Sequence, residues 1–99
     1  MNILQYNIYT FNSENSEEMI YAVVLSPNEM NEVLKTVIVA PLCNQCDITP
    51  TTFLIDDITR VRLDQITTIE KINVDNYIAK INDSQIQKIK NTLDEMLIK

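Results

Sequence analysis

The clearest helical period in this chain is carried by its last stretch. Ile86, Ile89, Leu93, Met96 and Leu97 fall on one side of a helix, opposite Gln87, Lys88, Asn91, Asp94 and Glu95. Ser84 with Gln87 three residues on makes a capping box, so the spacing predicts a helix over 84–98. A single C-terminal helix needs a sheet to receive its apolar stripe, which predicts an α+β domain. There is no repeat, linker or low-complexity tract, so residues 1–99 read as one domain.

The rest of the chain is patterned for strands. Residues 4–11 alternate apolar and polar types with β-branched and aromatic side chains, which predicts a half-buried first strand. The polar, acidic residues 12–18 read as a loop. Residues 19–26 are a continuous apolar run stopped by Pro27, suited to a central strand covered on both faces. Residues 27–34 read as a loop or one helical turn. Residues 35–40 form the next strand, ended by Pro41, after which 42–50 should leave the sheet. Residues 51–55 and 58–63 pair around an Asp56-Asp57 turn, and 65–69 extend the sheet. Period alone does not decide whether 77–81 is a strand or a helical turn.

Composition removes most familiar chemistry. With no histidine and no glycine, the chain has no Ser-His or Cys-His base, no Walker loop and no glycine-rich dinucleotide turn. The apolar fraction of 45% supports a modest core that dimerisation would help. No apolar run reaches the ~20 residues needed to span a bilayer, and the start Met1-Asn2-Ile3-Leu4 lacks the charge of a signal peptide, so a cytoplasmic location is expected. The net charge of −6 is uneven. Residues 1–59 carry one lysine against eight acids, net −7, and residues 60–99 carry seven bases against six acids, net +1. An anion-binding face would have to come from the second part.

Each candidate motif has a plain structural reading beside the chemical one. Cys43-x-x-Cys46 has the spacing of a redox pair or half a zinc site, but the other half is missing, so ordinary reduced cysteines are expected. Asp56-Asp57 and Glu17-Glu18 could bind a hard cation, but adjacent carboxylates on a strand point apart. Tyr6, Tyr9, Phe11 and Tyr21 could stack bases, although strand alternation favours core or dimer packing, with Tyr9 and Phe11 on one side. Arg60, Arg62, Lys71, Lys80, Lys88 and Lys90 could line a phosphate groove, against which stand the neighbouring Asp64, Glu70, Asp75 and Asp83.

The order of motifs says more than any one of them. Tyr21-Ala22-Val23-Val24-Leu25-Ser26-Pro27, then Val37-Ile38-Val39-Ala40-Pro41, then Val61 to Ile69 with Asp64-Gln65-Ile66, then the helix of Ile86, Ile89 and Leu93, resembles the MazF/PemK toxins over residues 19–98. The opening 5–11 and the closing helix are similar to the related gyrase poison CcdB. The resemblance implies a strongly curved antiparallel sheet, partly closed like an SH3 barrel, with a C-terminal helix, in a homodimer. It implies the toxin of a type II toxin-antitoxin module, an endoribonuclease that cuts single-stranded RNA with no metal or cofactor and is neutralised by an antitoxin protein. The alternative it leaves open is a CcdB-like toxin without enzymatic activity, binding gyrase or another protein. Four functional positions of the family depart from its pattern: Ile20 stands where an arginine is usual, Cys43 or Asn44 in place of a threonine, Thr67 in place of a basic residue and Asn73 in place of an arginine. The residues then expected to contribute to catalysis are Arg62, Lys71, Cys43 and Asn44.

Overall fold

The structure is a computed structural model describing residues 2–12, 19–44, 52–55 and 59–97. Its elements are β1 (Asn7–Asn12), β2 (Met19–Val24), α1 (Asn28–Val33), β3 (Thr36–Cys43), β4 (Thr52–Leu54), β5 (Arg60–Arg62), β6 (Thr67–Glu70), β7 (Val74–Lys80) and α2 (Asp83–Leu97). Short 3-10 turns at Leu63–Gln65 and Lys71–Asn73 flank β6. All the strand pairs are antiparallel, in the order β4-β5-β3-β2-β1-β7, with β6 also on β3. This is the expected α+β architecture. The barrel does not close, because β4 and β7 remain the two ends of the sheet among the described residues.

The continuous apolar run becomes the doubly covered strand its composition demands. Ala22 and Val24 face a core with Tyr9, Phe11, Val37 and Val39, while Val23 faces a second core with Ile8, Ala40, Val61, Leu63 and Ile89. Tyr9 and Phe11 share one side, as their spacing predicts, and their rings meet edge to face at 6.3 Å. The first strand starts at Asn7 instead of residue 4. Tyr6 has φ 66°, in the left-handed region, and this breaks the extended run before β1.

Pro41 does not end its strand, contrary to the expectation that it would. Ile38 directs both backbone groups toward β2: its carbonyl accepts from Leu25 N at 2.8 Å, and its nitrogen donates to Ser26 Oγ at 3.1 Å. Alternation therefore turns the Pro41 nitrogen to the other edge of β3. On that edge the pairing with β6 ends at Val39 and the pairing with β5 begins at Leu42. A residue without an N–H fits this gap and costs no ladder bond.

Residues 27–34 supply a real helical turn, α1, in which Pro27 O accepts from Asn31 N at 3.0 Å. The ambiguous stretch at 77–81 is strand as far as Lys80, the end of β7, held by β1 through the Tyr9–Tyr77 and Ile8–Ala79 pairs. The expected hairpin appears as β4 and β5, closed by Ile55 N donating to Thr59 O at 2.9 Å. Asp56-Asp57 lies outside the described residues, as do the acidic Glu17-Glu18 and residues 13–18 and 45–51 generally.

The helix α2 lays Ile86, Ile89, Leu93 and Met96 on the second core; the side chain of Leu97 lies outside what is described. Its cap is not Ser84 with Gln87. Asn82 Oδ1 accepts from Gln85 N at 2.8 Å and Gln85 Oε1 accepts from Asn82 N at 3.0 Å, a reciprocal box two residues earlier. Ile81 is buried in the core at the end of β7, so the chain turns immediately after it, at Asn82. Gln85 Nε2 also donates to Ile55 O at 2.7 Å, which fastens the helix start to the β4–β5 hairpin. Asn82→Ala is expected to lower stability by about 1 kcal/mol, a loss read as a lower urea midpoint with unchanged slope. A change under about 0.3 kcal/mol would show that the cap carries no load.

Candidate functional site

At the end of β3 the chain forms a cavity of about 520 Å³ lined by Ile8, Tyr21, Leu42, Cys43, Asn44, Ile55, Thr59, Ile78 and Ala79. Strand alternation explains the lining: Ile8 and Leu42 belong to the α2 side of the sheet, and Tyr21 shares the side of Val23. Not one of these residues is charged. The polar groups are the Tyr21 hydroxyl, the Asn44 amide and the Thr59 hydroxyl, and Thr59 Oγ1 donates to Asn44 Oδ1 at 3.3 Å. Tyr21 is 50% exposed, so the packing expected for it from the sequence does not occur within the chain, whereas Tyr9 and Phe11 are core residues.

The four residues expected to act together are not all in one place. Cys43 and Asn44 both line the cavity. Cys43 is disulfide-bonded, which corrects the expectation of reduced cysteines, and its sulfur carries no titratable thiol in this state. Cys46 lies outside the described residues.

Arg62 is two residues along β5 from Arg60, which pairs with Cys43. Val61 between the arginines is fully buried in the core under α2, so both arginines project from the other face of β5. Arg62 Nη2 bonds Asp64 Oδ2 at 3.2 Å, and this hydrogen bond holds the Asp64 carboxyl below its ordinary range. With both side chains about a third exposed, the pair adds little to stability.

Lys71 is remote from the cavity. β3 runs from Thr36, opposite Glu70, to Cys43, opposite Arg60, roughly 23 Å of strand at about 3.3 Å per residue. Lys71 stands just beyond the Glu70 end, where its backbone N donates to Lys35 O at 2.8 Å and its Nζ to Asn31 O. It thus ties the turn before β7 to α1, and lines a separate cavity of about 440 Å³ with Glu32, Leu34 and Glu70. Sequence reasoning chose it for its charge, weighed Tyr21 as ordinary packing and missed Thr59, whose place beside the Cys43 segment, next to the Cys43–Arg60 pair, is set by pairing between distant parts of the chain.

Among the described residues no three His, Cys, Asp or Glu side chains gather into a group able to hold a metal ion, and no helix is long and apolar enough to cross a membrane.

The fold has solved counterparts. A mycobacterial endoribonuclease in complex with its cognate antitoxin superposes with TM-score 0.84 at 19% identity, covering 95% of this chain and 93% of that one. MazF in a MazE-MazF structure from Deinococcus radiodurans gives TM-score 0.83 at 14% identity over 98% and 97%. The Mycobacterium tuberculosis toxin MazF-mt6 gives 0.78 at 16% identity over 90% and 93%. At these identities the likeness establishes the fold. No curated protein sequence matches the chain. A family model of PemK-like, MazF-like toxins of type II toxin-antitoxin systems matches residues 4–97, nearly the whole length, and the chain belongs to that family.

Proposed function

We propose that this toxin acts in the cytoplasm by cutting single-stranded RNA without a metal ion, at the cavity beside Asn44, and that an antitoxin protein silences it. The observation that carries the reading is the placement of Cys43 and Asn44. They sit at the end of β3, the position where the family resemblance puts a functional threonine, and there they open into a cavity large enough for a nucleotide. Family membership supports it, as does the likeness to an endoribonuclease bound to its cognate antitoxin and to a MazE-MazF complex. Nothing favours a gyrase-directed reading over this one.

The chemistry asked of the site is attack of a ribose 2′-hydroxyl on the adjacent phosphorus, with the 5′-oxygen of the next nucleotide leaving. A donor aimed at a phosphate oxygen stabilises the developing charge. Asn44 is the residue of the cavity suited to donate there, through its amide N–H groups. Arg62, engaged with Asp64 on the reverse face of β5, and Lys71, at the far end of β3, are not placed to do so. A homodimer would supply cover for exposed apolar side chains away from the cavity, such as Val33 and Ile72.

The test is incubation of purified protein with a long single-stranded RNA in EDTA. Cleavage is expected to persist in the chelator, to fall about a hundredfold in Asn44→Ala, and to stay near the parent rate in Lys71→Ala. Intact RNA, together with growth arrest on expression, would reject the nuclease in favour of a toxin that binds a protein.

A further inference from the structure

Resting on the RNA-cleaving reading, we infer that the cavity holds one nucleotide of a single-stranded RNA through a stacking platform, Tyr21, and a neutral phosphate donor, the Asn44 amide, which Thr59 holds in position. The described lining residues carry no charge, so they bind a polyanion by means other than ion pairing, and these three side chains supply them. Tyr21 presents a half-exposed ring at the cavity wall, rooted in a strand whose next residue, Ala22, is fully buried between β1 and β3. A ring anchored in this way loses little freedom when a base stacks on it, and stacking accepts any base.

Asn44 is exposed and follows the last residue of β3, so without a second contact its amide would sample many orientations. Thr59 Oγ1 donates to its Oδ1 across the start of the β4–β5 hairpin return. With the oxygen engaged, the Nδ2 hydrogens are the amide's remaining groups, and they take no other partner among the described residues. Among the described residues the site therefore offers donors and no carboxylate, which suits a phosphate oxygen next to the stacked base. Thr59 is a positioning residue that acts through Asn44.

The experiment separates binding from cutting. Binding is measured with a fluorescent mixed-sequence 2′-O-methyl oligonucleotide pool, which lacks the attacking hydroxyl, and cutting with the same pool as RNA. Tyr21→Ala is expected to weaken binding about tenfold, and Tyr21→Phe, which keeps the ring, to recover most of that loss. Thr59→Val is expected to lower kcat about tenfold with KM little changed, and Thr59→Ser to restore it. Unfolding midpoints of all variants confirm that each is folded. If Tyr21→Ala binds within about twofold of the parent, or Tyr21→Phe binds as poorly as Tyr21→Ala, the platform is wrong. If Thr59→Val cuts like the parent, the positioning role is wrong while the nuclease reading stands. A parent protein that neither binds nor cuts RNA overturns the nuclease reading and this inference with it, before any variant is compared.

Discussion

Replacing Phe11 with alanine is expected to remove about 4 kcal/mol of folding free energy, among the largest losses from a single truncation of a described residue. The side chain is fully buried at the centre of the first core, edge to face with Tyr9 and flanked by the Cα partners Ile20 on β2 and Val74 on β7. Those neighbours belong to three paired strands, so they cannot collapse into the vacated space without shifting a ladder, and the cavity stays. A domain of this size has on the order of 5–15 kcal/mol in total, so the variant sits close to its unfolding limit at ambient temperature. Urea titration of both proteins measures the difference. A loss under about 1 kcal/mol would mean that the sheet closes around the gap and that the two cores are softer than their burial implies.

Asn31→Leu should cost about 3 kcal/mol for a different reason, namely groups left without partners. The Asn31 side chain is buried, accepts from Ser26 Oγ at 2.5 Å, and donates to Ser26 O at 2.9 Å and to Ile3 O at 3.3 Å. Leucine keeps the branched shape of the side chain but cannot hydrogen-bond, so two buried carbonyls lose a donor and the Ser26 hydroxyl loses its acceptor. Ser26 in turn accepts from Ile38 N, which carries the network from α1 into β3. The double variant with Ser26→Ala should therefore lose less than the sum of the single losses, because both remove the same bond. Strict additivity in the unfolding energies would deny that the serine and asparagine act as a unit.

That network also shows how much of the architecture local sequence could reveal. The Ser26-Pro27 stop was visible as the end of an apolar run, and the apolar run itself as a strand covered on both sides. The stripe of Ile86, Ile89 and Leu93 announced α2, because helical spacing is a property of neighbours in sequence. What escaped were features decided by distant partners. Pro41 continues a strand because β5 and β6 leave a gap beside it, and nothing within residues 35–50 records where those strands will end.

The site was legible in the same uneven way. Cys43 and Asn44 were reached through their place after the third strand, and the cavity does contain them. Lys71 and Arg62 were chosen for charge, and charge says nothing about which end of β3 or which face of β5 a residue occupies. Tyr21 was considered as a stacking residue but weighed as ordinary packing. Its 50% exposure depends on what covers that face of β2, which only the assembled sheet defines.

The gap beside Pro41 has a further meaning for how this scaffold can diversify. On one edge β3 serves two separate leaves: β6 along Thr36–Val39, and the β4–β5 hairpin from Leu42 onward. The hairpin is grafted onto the tip of a strand whose other bonds, to β2 and β6, are complete without it. Mutation can lengthen, shorten or rewrite the graft, and with it the wall of the cavity beside Asn44, while the trunk of the sheet keeps every ladder bond it has.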